Sequence, residues 1–152
     1  NTAFFYPLGT VALERPAALP ELICPTASRT WRLPMLAEPG EGLVLKVQVT
    51  VERRDGDTPR LAVSLNQHWP VADCAETGSL LFASGDFDLL QENHIGFDFT
   101  LPRSWIRDGW NEVTVFNLES ESGDLKENAR RSVWLMNLDL AVIEDEKAGK
   151  TV

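Results

Sequence analysis

Two cysteines and two histidines among 152 residues leave little material for metal or redox chemistry. Neither a CxxC nor an HExxH spacing occurs, which excludes zinc sites of recognised ligand spacing. GxSxG, the P-loop and GxGxxG are missing as well. Bases are the scarcer charge, 14 against 23 acids, for a formal balance of −9. With no run of bases longer than two, such a chain repels phosphate backbones and anionic bilayers, so neither nucleic acid nor a membrane is expected as a partner. No apolar stretch approaches the ~20 residues of a bilayer-spanning helix. Asn1 to Leu8 lack the charged start and long apolar segment of a signal peptide, and the chain reads as a mature protein or a piece of a longer one. Cysteine number leaves the compartment open: Cys24 and Cys74 suit a disulfide in an exported domain and equally two thiols in a cytosolic one.

What the chain has is ordinary globular composition, 43% hydrophobic and 24% charged, and abundant alternation at period two, the mark of half-buried strands. From Gly42 to Arg53, Leu43, Leu45, Val47, Val49 and Val51 share a face opposite Lys46, Gln48, Thr50 and Glu52, which predicts one long strand with a wet face. Asp55-Gly56 and Pro59 carry turn chemistry before the pattern resumes in Leu61, Val63 and Leu65, so a hairpin is expected between these two strands. Ile95, Phe97, Phe99 and Leu101 share the next clear face, and Pro102 blocks further pairing. Trp110 to Leu118 sets Val113 and Val115 against Trp110, Thr114 and Phe116. Arg131 to Ile143 reads as the last strand, with Trp134, Met136, Leu138, Leu140 and Val142 together and Asn137 and Asp139 outside. Trp31, Leu33 and Met35 mark another strand, which Pro34 assigns to an edge. Alternation puts Trp31, Trp110 and Trp134 in the core, and no amphipathic helix longer than two turns stands out. The pattern predicts an all-β, jelly-roll-type antiparallel sandwich of about eight strands over residues 30–143, with an irregular arm over 1–29 and a polar tail over 144–152.

The segment RLAVSLNQHWPVA resembles a strand and turn of galactose-binding-like jelly-roll domains, the kind attached to glycoside hydrolases. FDFTLPRSWIRDGWNEVTVFN and VWLMNLDLAVI resemble their later strands, and the resemblance spans Leu61 to Ile143. It implies that Gly109 ends a loop which Asn111 ties to the following strand. It also implies a non-catalytic accessory domain of a larger carbohydrate-active protein, extracellular or periplasmic, that binds a glycan or polysaccharide. The alternative is a structural or protein-interaction domain of a larger assembly. One departure stands out: the Asn-Gly turn of that family is replaced by Asn66-Gln67-His68-Trp69.

Loop parity sorts the chemistry. If consecutive strands run antiparallel, Gln67 to Gly78 and Pro102 to Gly109 lie at one end, while Arg54 to Pro59, Ser84 to Glu92 and Glu119 to Arg130 lie at the other. The first end gathers Asn66, His68, Trp69, Arg103, Trp105 and Arg107. Indole faces stack on sugar C–H surfaces, and Arg, His and Asn hydrogen-bond hydroxyls, so these six are the candidate ligand contacts. Trp105 is also placed as an apolar plug closing that end, and Trp69, followed by proline and preceded by polar residues, is the indole expected in solvent. Arg107 has Asp108 and Glu112 as alternative surface partners. The second end holds Asp55, Asp57, Asp86 and Asp88, whose DxD spacings suit either a structural calcium ion or plain turn chemistry.

Overall fold

The structure, a computed structural model, describes residues 4–7, 20–37, 42–54, 56–79 and 92–145. Among them are nine strands: β1 (Phe4–Pro7), β2 (Glu21–Ile23), β3 (Ser28–Met35), β4 (Leu43–Glu52), β5 (Leu61–Leu65), β6 (Ala75–Thr77), β7 (His94–Pro102), β8 (Gly109–Asn117) and β9 (Val133–Glu144). A single helix, α1 (Leu125–Arg131), and a 3₁₀ turn at Arg103–Trp105 complete the described elements. All pairings are antiparallel. One sheet has the order β1, β9, β4, β7, β6, with β2 also on β9, and the other is β3, β8, β5. β1 takes residues 139–142 of β9 and β2 takes 133–135, so the larger sheet is five strands wide. From β3 to β5, and again from β7 to β9, successive strands alternate between the sheets. The protein is an all-β, jelly-roll-type sandwich.

The core lies where alternation put it. Leu45, Val47, Val49, Val63, Phe97, Phe99, Val113, Val115, Leu138 and Leu140 are all buried. So is Trp31, on β3 at the edge of the smaller sheet, where Pro34 faces Trp110. An edge strand tolerates a proline because one side of its backbone has no partner to lose.

Four expectations are corrected. β4 and β5 are not a hairpin: β4 lies between β7 and β9, and β5 pairs with β8 in the other sheet. The connection over 53–60 crosses between layers, which local turn chemistry does not distinguish from a hairpin loop. Nor is the middle of the polar face of β4 wet: Glu52 is exposed and Lys46 half-buried, but Gln48 and Thr50 are 1% and 2% exposed. Gln48 Nε2 donates to Ser79 O at 2.8 Å and Asp98 Oδ1 at 3.0 Å, which offsets its desolvation. The third correction is Trp110, 46% exposed on the outer face of β8 with the Arg32 guanidinium 5.3 Å from its ring centre. The fourth is Trp134, 45% exposed. Thr50 faces Asn137 but Val51 faces Leu135, so β9 carries one extra residue there, a β-bulge. The bulge changes the phase of alternation: Val133 and Leu135 point inward on one side of it, Leu138, Leu140 and Val142 on the other, and Trp134 turns outward. Asp139 lies on the outer face as expected, yet it is buried.

Within the segment expected as an arm, Phe4–Pro7 and Glu21–Ile23 supply strands to the free edge of β9. In the loop expected over Gln67 to Gly78, Ala75–Thr77 pairs with β7.

Candidate functional site

Asparagines close both ends of the core, and both come from β8. Asn111, Val113, Val115 and Asn117 alternate inward along that strand, so the valines fill the middle and a buried amide sits at each end. At the first end Asn111 makes four hydrogen bonds. Its Oδ1 accepts from Asn66 Nδ2 at 2.8 Å and Arg107 N at 2.9 Å, and its Nδ2 donates to Arg107 O at 2.7 Å and Gly109 O at 2.9 Å. This is the tie between loop and strand that the resemblance implied. Gly109 adopts φ +92°, a left-handed conformation that costs a β-carbon-bearing residue roughly 1–2 kcal/mol.

Asn66 belongs to the same knot. Its Nδ2 also donates to Trp105 O at 2.8 Å, and its Oδ1 accepts from Glu112 N at 2.9 Å. Both amide hydrogens and the carbonyl are engaged inside the protein, so Asn66 positions the loops and offers no donor to a ligand. Asn66 and Gln67 have φ +54° and +65°, the two positive angles of a type I′ turn, and His68 N donates back to Leu65 O at 3.3 Å. Asparagine tolerates this conformation and glutamine does so less readily. The turn projects His68 and Trp69 beyond the sheet, where Ser64 Oγ holds His68 O.

The consequence is an aromatic tip. His68 stacks on Trp105 with ring centres 4.4 Å apart and planes 6° from parallel. Trp105 is partly buried against the core, as an end plug should be, while Trp69 is 88% exposed. Arg103 starts the 3₁₀ turn beneath, half-buried. Arg107 is exposed, and among the described residues its guanidinium pairs with neither Asp108 nor Glu112; Asp108 Oδ1 instead accepts from Ala37 N at 2.7 Å. The structure therefore brings His68, Trp69, Arg103, Trp105 and Arg107 to one end, around the Asn66 and Asn111 knot.

The opposite end is built from ion pairs. Arg54 Nη2 lies 3.2 Å from Glu119 and Arg60 Nη2 3.7 Å from it. Glu127 takes Arg130 at 2.7 Å and Arg131 at 3.0 Å. Hydrogen bonds from those two guanidiniums, chiefly from Arg130, hold the Glu127 carboxyl down at about 2. Asn117 anchors this end, donating to Ile23 O at 3.0 Å and Arg131 O at 2.9 Å and accepting from Glu119 N at 3.0 Å. Of the four aspartates proposed for calcium, Asp55, Asp86 and Asp88 lie outside the described residues. Asp57 is exposed, 4.0 Å from Arg130. Among the described residues no cluster of three or more carboxylate, imidazole or thiol groups is spaced to hold a metal ion.

Cys24 and Cys74 are both free and exposed. Partial desolvation, then Asp73, Glu76 and Asp98, pushes the Cys74 thiol up, which disfavours the nucleophilic thiolate. Sequence reading overlooked Asn117, although its spacing of two from Val115 put it in the inward row.

Comparison with protein-family models and with curated proteins returns no match.

Proposed function

We propose that this sandwich is a non-catalytic carbohydrate-binding module, an accessory domain that takes a glycan on the loop end between β5 and β6 and between β7 and β8. The observation that carries this reading is the indole of Trp69, 88% exposed at the tip of a rigid turn and beside the stacked His68 and Trp105 rings. Leaving a large apolar ring in water is unfavourable, and a sugar's C–H face would cover it. Arg103 and Arg107 lie close in sequence to Trp105 and supply donors for hydroxyls. The resemblance of Leu61 to Ile143 to galactose-binding-like domains points the same way. The test is a glycan array followed by calorimetry with Trp69→Ala: binding falls by tenfold or more while thermal stability stays unchanged. Equal binding by the variant defeats the proposal.

A second reading, a protein-interaction domain of a larger assembly, is favoured by Trp110. Its indole is 46% exposed on the outer face of the three-stranded sheet, at the start of β8. An empty glycan array together with a protein partner whose capture fails with Trp110→Ala would select this reading.

A further inference from the structure

A groove of about 450 Å³ opens at the opposite end, between β4 and the C-terminal end of α1, lined by Glu52, Arg53, Arg54, Ala129, Arg130, Ser132 and Trp134. Three guanidiniums and one carboxylate line it, in a protein whose formal charge is −9. The guanidiniums are not equivalent. Arg54 is held in place, donating to Asp57 O at 3.2 Å, Arg130 O at 2.9 Å and Glu119 Oε1 at 3.2 Å. Arg130 gives Nε and Nη2 to Glu127 and keeps Nη1 beside Gly56, where a β-carbon would stand 3.2 Å away. Arg53 is exposed, its backbone N–H tied to Asn93 O at 2.7 Å, and its side chain makes no ion pair among the described residues. Trp134, turned outward by the bulge in β9, supplies an indole face that is 45% exposed.

We propose that this groove binds a sugar ring bearing a carboxylate or a phosphate, with the ring on Trp134 and the oxyanion on Arg53 and Arg130. Arginine suits the task because its planar fork of N–H donors matches the oxygens of either anion, and an indole offers a flat apolar surface to the ring. The volume falls in the range of small-ligand sites. Besides Glu52, whose carboxylate lines the groove, two features oppose an anion: the carboxylates of Asp57 and Glu127 beside Arg130, and the carbonyl end of α1. The second is met by caps, since Ser132 N donates to Asn128 O and Ala129 O, and Arg54 to Arg130 O. The first makes Arg53 the principal contact. This site is separate from the Trp69 tip and does not rest on the glycan reading of that tip.

The test is calorimetry on the full chain with glucuronate and glucose 6-phosphate, with glucose as the uncharged control and inorganic phosphate as the anion alone. Saturable binding of glucuronate or glucose 6-phosphate is expected, at least tenfold tighter than glucose or phosphate, and the two charged sugars tell carboxylate from phosphate. Arg53→Gln and Trp134→Ala should each weaken it by about tenfold. Trp69→Ala should leave it unchanged, and added salt should weaken it. The proposal is overturned if neither charged sugar binds below about 10 mM, if glucose binds as well, or if loss follows Trp69→Ala rather than Arg53→Gln. Melting temperature, read alongside, shows whether Trp134→Ala is folded; Arg53→Gln removes an exposed side chain and decides the matter if it is not.

Discussion

The two ends of the sandwich solve one problem by different means. Each must close a core of valines and phenylalanines with backbone that cannot remain unpaired, and each receives a buried asparagine from β8. At the Asn111 end the amide organises other amides and carbonyls, which leaves aromatic rings and the exposed Arg107 side chain outside it. At the Asn117 end the amide sits beneath a lattice of arginines and glutamates that hold one another. Neutral closure frees the surface side chains for a ligand, whereas charged closure engages most of them in the fold.

Predictions follow from breaking each end in turn. The common core sets the scale: Phe99→Ala should cost about 3–5 kcal/mol in urea unfolding and act on both ends alike. Asn111→Ala should cost about 3 kcal/mol, because it strands the Arg107 and Gly109 backbone groups and half of the Asn66 amide, and should also weaken any binding at the Trp69 tip. Asn117→Ala should cost about 2 kcal/mol and leave that binding intact. Equal loss of binding in both variants would mean that the ends are not independent.

Acidity separates the ends more gently, once a group on the sheet between them is removed. Burial pushes the Asp139 carboxyl up to about 6, against a smaller opposing effect of its hydrogen bond from Asn137 at 2.8 Å. A carboxyl raised from its usual 3.8 makes the folded state less stable as pH rises from about 4 to about 6. Asp139→Asn should therefore stabilise the protein at pH 7 by about 1–2 kcal/mol and do nothing below pH 4. In that background Glu127 shows alone, with the opposite sign. Its carboxyl is depressed, so its stabilisation is complete above the ordinary value near 4.5 and is lost as pH falls toward about 2. Glu127→Gln should remove this loss in thermal melts taken across that window, and an unchanged acid limb would show that the lattice does not hold its end. The smallest effect is at the tip: Gln67→Gly relieves a left-handed glutamine and should stabilise by about 0.5 kcal/mol, net of the freer unfolded chain.

The inward rows of β4, β7 and β8 were legible in the sequence because burial on one face imposes period two directly on residue choice. Parity of antiparallel strands likewise sorted the loops: Asn66 does meet Trp105 and Asn111, and Arg54 does meet Glu119 and Arg130. Trp69 was legible as exposed from its polar neighbours, and Trp105 as a plug from its position in the jelly-roll pattern. The partners of β4 were not. A strand's alternation states which face is apolar and is silent about which strands lie beside it, so a turn-rich connection looked like a hairpin when it crosses layers. The wet face of β4 was misread for a related reason, since Gln48 is polar by type but buried once Ser79 and Asp98 supply its hydrogen bonds.

By itself, then, the sequence determined an antiparallel all-β sandwich, the residues of its core and the grouping of its loops, all consequences of local periodicity and strand direction. Tertiary structure alone decided the side on which Trp134 emerges, because a single extra residue opposite Thr50 and Val51 reverses the phase of alternation on its N-terminal side and leaves no mark in composition. It also decided which polar groups are silent. Asn66 looks like a ligand contact until Asn111, Glu112 and Trp105, 39 to 46 residues further on, are seen to take its hydrogen bonds. Satisfaction of a polar side chain depends on atoms brought from elsewhere in the chain, and only folding brings them.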